Sequence, residues 1–152
     1  MFLNIFIGLL MIAITVTIQA LGSRYWLNTM ANDFFNLTYD KFKKKMFRFL
    51  ITTAFLLLLM NYLQAFLWAL LYYSLPGITV LKTLEESVYF SLVTFTTLGY
   101  GDITIGTDHR ILSGVEAING VLLIGWSTAL MFSALQEIWK RRFKNVVKDK
   151  NL

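Results

Sequence analysis

The chain has 152 residues, of which 57% are hydrophobic and 15% are charged. A soluble domain carries about 25% charged residues to cover its surface, so this composition indicates an integral membrane protein. Because there is no cysteine, disulfide scaffolds, thiolate-bound metals and thiol catalysis are excluded. The net charge of +5 fits a nucleic-acid partner only if the basic residues form a binding face.

The first 23 residues carry no charge. As a helix they would extend about 34 Å, enough to cross a hydrocarbon core of ~30 Å. The first basic residue, Arg24, follows the apolar run, whereas a signal peptide has basic residues before it. We therefore predict a retained transmembrane helix at 1–23. Its side chains are mostly bulky and apolar, which places it on the periphery, and 24–45 is predicted to be a cytoplasmic or interfacial linker.

The next two uncharged runs differ in length. The run 49–81 is broken by Pro76 and Gly77, which predicts a helix at 46–75. The run 87–101 has only 15 residues, too few to cross, which favours a re-entrant segment. A capping box of Thr83 and Glu86 predicts a short helix at 84–96, before glycines that favour non-helical backbone.

The last predicted elements are a long helix at 110–139 and a basic tail at 140–152. Six basic residues lie in 24–48, six in the tail and only two in 74–116. The positive-inside rule then places the N-terminus outside and the C-terminus in the cytoplasm. The basic charge is thus a topology signal, and no nucleic-acid partner is predicted. The basic runs Lys43–Lys45 and Lys140–Arg142 are candidate contacts for anionic lipids.

Acidic residues dominate the predicted outer segment, and their field would concentrate cations at the outer face. They are Glu85, Glu86, Asp102, Asp108 and Glu116.

One motif stands between the short helix and the last helix. It reads Thr96-Thr97-Leu98-Gly99-Tyr100-Gly101-Asp102. This motif resembles the potassium-channel signature T-T-V-G-Y-G-D at six of seven positions, and the resemblance extends over about 70–143. It implies an all-α membrane protein with three transmembrane helices, a re-entrant pore helix at 84–96 and a selectivity filter at 97–101. The pore domain would cover 46–139, with 46–75 as the outer helix and 110–139 as the inner helix.

Physical chemistry supports the same interpretation. Stacked carbonyls of Thr97, Leu98, Gly99 and Tyr100, with the Thr97 hydroxyl, could replace the water shell of K⁺. All carbonyls can point one way only if alternate residues adopt left-handed backbone, which Gly99 and Gly101 permit at low cost. A closed ring needs about four such strands and the chain has one, so a homotetramer is predicted. K⁺ is then the permeant ion, and no cofactor and no enzymatic activity are expected.

The resemblance also assigns residues that support the filter, among them Thr96 and Asp102. The family's aromatic pair on the pore helix corresponds to Tyr89 and Phe90. The first of the pair is often Trp, whose N–H donates to the filter Asp; the Tyr89 hydroxyl could donate to Asp102 instead. Some members carry a Glu where Val93 stands, so Tyr89 is predicted to be the single donor and Val93 to pack by apolar contact.

The inner helix should line a cavity below the filter. The resemblance aligns Gly120 with the family's hinge glycine, and helical spacing of four adds further residues on one face. The predicted face is Gly120, Ile124, Thr128, Phe132 and Gln136. Thr128 and Gln136 are polar, as a wet cavity allows; alternatively, Thr128 bonds to its own helix backbone.

The leading hypothesis is a K⁺-selective channel of the plasma membrane. Leu98 replaces the usual Val or Ile, which leaves a less selective cation channel as an alternative. A non-conducting or regulatory membrane subunit with the pore fold is the other. The first helix carries no repeated arginines, so no voltage sensor is indicated.

Overall fold

The computed structural model describes the backbone of residues 2–35, 39–106 and 108–150, and the side chains of residues 2–29, 46–106 and 108–140. Within these ranges all regular structure is helical. The four helices are α1 (Phe2–Phe35), α2 (Tyr39–Ser74), α3 (Leu84–Phe95) and α4 (Arg110–Lys150). Three of them contain stretches long and apolar enough to cross a membrane, namely Phe2–Thr29, Met46–Ser74 and Arg110–Lys140. This agrees with the predicted all-α membrane class.

The long helices extend beyond their predicted bounds. Helix α1 continues past residue 23 to Phe35, α2 begins at Tyr39 rather than 46, and α4 continues past 139 to Lys150. The segment 24–45, predicted to be a cytoplasmic or interfacial linker, is helical over 24–35 and 39–45, and 36–38 lie outside the described residues. Charged residues limit the part of a helix that can lie within the bilayer, but they do not stop the helix itself. The helices continue because neither 24–35 nor 140–150 contains a Gly or Pro, the residues that most disfavour a helix.

The short helix α3 begins at the predicted capping box. The Thr83 hydroxyl accepts from the Glu86 backbone N–H at 3.1 Å, and the Glu86 carboxylate accepts from the Thr83 N–H at 3.0 Å. The helix has 12 residues and ends at Phe95, one residue before the predicted end. At ~1.5 Å per residue it is about 18 Å long, too short to cross a bilayer.

An aromatic and aliphatic core holds α3 between α2 and α4. Trp68 and Tyr72 of α2 are buried, and the Tyr72 ring meets Phe90 of α3 edge-on at 5.1 Å. Leu112 and Leu123 of α4 complete this core and are fully buried. The C-terminal end of α3, and the non-helical segment that follows it, are thereby fixed against the two long helices.

Helix α1 packs on the outside of this unit through buried polar side chains. Gln19 donates to the Ser127 hydroxyl of α4 at 3.1 Å, and Gln64 of α2 donates to the Gln19 amide oxygen at 2.8 Å. Nearer the start of both helices, Asn119 donates to the Thr15 hydroxyl at 2.8 Å. These contacts align α1 parallel to α4. The scattered polar residues of α1 therefore attach this helix to α2 and α4.

Candidate functional site

The segment after α3 begins with amides that bond back to the helix. The Thr97 N–H donates to the Thr94 carbonyl at 2.9 Å. The N–H groups of Leu98 and Gly99 both donate to the Val93 carbonyl, at 2.9 and 3.3 Å. Among the described residues, no N–H donates to the carbonyls of 97–100. These four carbonyls therefore remain free to accept from, or coordinate, something else.

Alternate residues of this segment have left-handed backbone. The φ angles are 59° at Thr97, 57° at Gly99 and 77° at Gly101. Glycine adopts this conformation readily, whereas an L side chain pays roughly 1–2 kcal/mol for it. The alternation was predicted from the two glycines; the left-handed Thr97 was not, because no residue-type signal marks it.

Tyr89 and Asp102 form the predicted hydrogen bond across the outer end of the segment. The Tyr89 hydroxyl donates to the Asp102 carboxylate at 2.7 Å. This bond lowers the pKa of Asp102 and raises the pKa of Tyr89, because it stabilises the ionised carboxylate and the neutral phenol together. The pair is therefore an anion with a neutral donor over a wide pH range.

The other predicted supporting residues have different surroundings. Phe90 is buried against Tyr72, so it belongs to the core behind the segment. Thr96 is exposed and its hydroxyl donates to the Leu92 carbonyl at 2.7 Å. Val93 lines the same groove as Asp102.

That groove has a volume of about 580 Å³ and lies between the segment, α3 and the start of α4. Gly99, Gly101 and Gly114 are among its lining residues, and Arg110 lines its edge. The neighbouring apolar side chains are uncovered in the single chain, with Leu98 55% and Tyr100 68% exposed.

The predicted inner-helix face is exposed except at its first residue. Ile124, Thr128, Phe132 and Gln136 are all exposed, and the Thr128 hydroxyl also donates to the Ile124 carbonyl of its own helix at 2.9 Å. Gly120 is buried instead. A Cβ there would lie 1.9 Å from the Phe95 carbonyl oxygen, so Gly120 is where α4 touches the backbone of α3. Its assignment to the cavity lining was wrong because helical spacing does not show which face a neighbouring helix covers.

Glu116 has surroundings that the sequence analysis did not predict. It was counted among the acids of the predicted outer segment, and in the structure it is 0% exposed and bonds to Tyr72 and Ser91. Sequence reasoning missed all three as a group. The only signal was the position of Glu116, one residue before a 20-residue uncharged run.

Comparison with known proteins gives one family match. A family model described as "ion channel" matches residues 45–137, which is more than half of the chain. The match covers α3, the segment after it and most of α2 and α4. No curated protein and no solved structure matches the chain significantly.

Proposed function

The chain belongs to the ion channel family, and from this premise we propose that it forms a K⁺-selective channel of the plasma membrane. The observation that carries the proposal is the backbone of 97–101. Left-handed φ angles recur at Thr97, Gly99 and Gly101, and the carbonyls between them accept no backbone hydrogen bond among the described residues. Such a strand can present successive carbonyl oxygens to one ion path.

Selectivity would come from neutral dipoles rather than from charge. Carbonyls of Thr97, Leu98, Gly99 and Tyr100 would replace the hydration shell of K⁺, with the Thr97 hydroxyl as an additional ligand. Helix α3 ends directly before this strand, so its negative C-terminal end would favour a cation below the filter. Tyr89 and Asp102 would hold the outer end of the filter in place.

A homotetramer is part of the proposal. One chain supplies one filter strand, and a closed ring of carbonyls needs about four. The exposure of Leu98 and Tyr100 supports this, because a filter whose apolar side chains face water would be costly to hold in place. The groove beside Val93 and Gly114 offers space for side chains of a neighbouring copy.

The proposed pore domain covers 46–139, with an inner cavity lined by Ile124, Thr128, Phe132 and Gln136. The N-terminus would lie outside and the C-terminus in the cytoplasm. Because the chain has no cysteine, single-cysteine labelling can test this orientation. An impermeant maleimide added outside intact cells should react with Gly106→Cys and not with Lys140→Cys; the reverse pattern would contradict the proposed orientation.

The function is tested by flux through the purified full chain in liposomes loaded with K⁺. We expect K⁺ efflux that Ba²⁺ blocks and that far exceeds Na⁺ flux. Equal Na⁺ flux would favour the less selective cation channel, which Leu98 leaves open, and absence of any flux would favour a non-conducting subunit.

A matched pair of variants ties the flux to the filter. Gly99→Ala forces an L side chain into left-handed backbone and should abolish selective K⁺ flux. Gly106→Ala is the control, because its φ is ordinary and an added Cβ meets no atom within 4 Å. If both variants conduct like the wild type, residues 97–101 are not the filter.

A further inference from the structure

A chain of oxygen atoms joins three helices behind the filter. The Ser91 hydroxyl of α3 lies 2.6 Å from the Ala65 carbonyl oxygen of α2 and 2.5 Å from one carboxyl oxygen of Glu116 in α4. The other carboxyl oxygen accepts from the Tyr72 hydroxyl of α2 at 2.7 Å. Tyr72, Ser91 and Glu116 are all buried, with at most 1% of each exposed.

Counting hydrogens decides the protonation of this group. Each of the three short oxygen–oxygen contacts needs one hydrogen between its atoms. The Ser91 and Tyr72 hydroxyls supply one hydrogen each, and the Ala65 carbonyl supplies none. If Glu116 is ionised, one contact consists of two acceptors facing each other. If Glu116 is a carboxylic acid that donates to Ser91, then Ser91 donates to Ala65 and every contact is satisfied.

The charges around Glu116 agree with this count. The titratable group of α2 that faces Glu116 is Tyr72. The residue of α3 that contacts it is Ser91, and the nearby acid Glu85 is exposed at the start of α3. On its own helix the nearest charge is Arg110, which is exposed. Helix α1 carries no charge in 2–23. Since no described cation contacts it, an ionised Glu116 would be a buried unpaired charge, which is strongly unfavourable.

We propose that Glu116 is a proton-binding site, held as a neutral carboxylic acid. Its proton completes a hydrogen-bond chain that runs from Tyr72 of α2 through Glu116 and Ser91 to the Ala65 carbonyl of α2. Ser91 lies on α3, six residues before Thr97. Loss of the proton at alkaline pH would leave Ser91 able to donate to only one of its two partners. Helix α3 would then lose one of its attachments to α2 and α4.

Glu116→Gln is the diagnostic variant. Its amide offers one N–H to Ser91 and one oxygen to Tyr72, the same pattern as the neutral acid. We expect Glu116→Gln to fold and to match the wild type below about pH 4, where the acid is neutral in the folded and the unfolded chain. From about pH 4.3 upward the wild type should lose thermal stability relative to the variant, because the unfolded chain releases the proton first, and the loss should level off once the folded chain releases it too. Glu85→Gln, the same change at an exposed carboxylate, should follow the wild type at every pH.

A spectroscopic readout observes the proton directly. At neutral pH the infrared spectrum of the wild type should contain the carbonyl stretch of a protonated carboxylic acid. The band should persist in Glu85→Gln, vanish in Glu116→Gln and disappear from the wild type on alkaline titration. Absence of the band from the wild type, or failure of Glu116→Gln to fold, would overturn the proposal. Both readouts use the detergent-purified full chain, so a lack of K⁺ flux would count against the proposed function alone.

Discussion

Replacing Gly120 by alanine tests how closely α4 approaches α3. The added Cβ would lie 1.9 Å from the Phe95 carbonyl oxygen and 2.7 Å from its carbonyl carbon, whereas ordinary contact begins at 3.4 Å. The shortfall from ordinary contact to the oxygen is 1.5 Å. Both atoms are backbone, so no side-chain rotation can relieve the clash, and one helix must shift.

Overpacking of this kind costs about 1–3 kcal/mol and occasionally more. For a chain of this size we expect the melting temperature in detergent to fall by about 2–12 °C. The shift should also disturb the filter, because Phe95 ends the helix that precedes it. We therefore expect reduced K⁺ flux in liposomes together with the lower melting temperature.

Gly125→Ala is the matched control on the same helix. An added Cβ there meets no atom within 4 Å, and alanine favours helix more than glycine does. Its melting temperature should equal or slightly exceed that of the wild type. A Gly120→Ala variant that melts with the wild type would refute the packing argument; altered gating without loss of stability would instead favour Gly120 as a hinge.

Three further predictions concern α3, α1 and the outer end of the filter. Thr83→Ala removes the N-cap of α3 and should lower the free energy of unfolding by about 0.5–2 kcal/mol. Lys82→Ala, which keeps the capping box, should melt like the wild type. Equal losses of stability in both variants would contradict the capping role. Gln19→Leu removes the bonds of Gln19 to Ser127 and Gln64, which keep only their bonds to Asn61 and to the Thr15 carbonyl. The loss of these two bonds should cost about 1–3 kcal/mol while the K⁺/Na⁺ flux ratio stays unchanged. Thr17→Val, at an exposed position, should be neutral. A changed flux ratio in Gln19→Leu, or on deletion of residues 1–21, would show that α1 is not merely peripheral. Tyr89→Phe removes the hydrogen bond that lowers the pKa of Asp102. The stabilisation of the folded filter by this bond is fully present above the ordinary Asp pKa of 3.8, and it is lost as pH falls through the lowered pKa. External acid should therefore reduce conduction at a higher pH in Tyr89→Phe than in the wild type, and conduction should also decay faster during sustained opening. Identical dependence of conduction on pH in both proteins would show that the bond does not support the filter. Tyr73→Phe, at an exposed tyrosine, is the control.

Residue types and spacing determined the features that depend on local chemistry. Uncharged runs locate the three long apolar helices, because a bilayer demands length and apolarity whatever packs beside them. The capping box fixes the start of α3, because its hydrogen bonds join residues three apart. Gly99 and Gly101 mark the left-handed positions, because only glycine adopts them without cost. The hydrogen bond from Tyr89 to Asp102 was predicted from the family resemblance and is present.

Tertiary structure alone decided which side chains meet across helices. Helical spacing put Gly120 on one face of α4, and Glu116 was placed only in the predicted outer segment. Neither inference could show that α3 covers both residues, since burial depends on a neighbour far away in the sequence. The contacts of Glu116 with Tyr72 and Ser91 span 44 and 25 residues. The contact of Gln19 with Ser127 spans 108 residues, and that of Asn119 with Thr15 spans 104. From the sequence alone, Glu116 is one acid of the predicted outer segment. Only the packing of α2, α3 and α4 buries it and places it between Tyr72 and Ser91 in a hydrogen-bond chain.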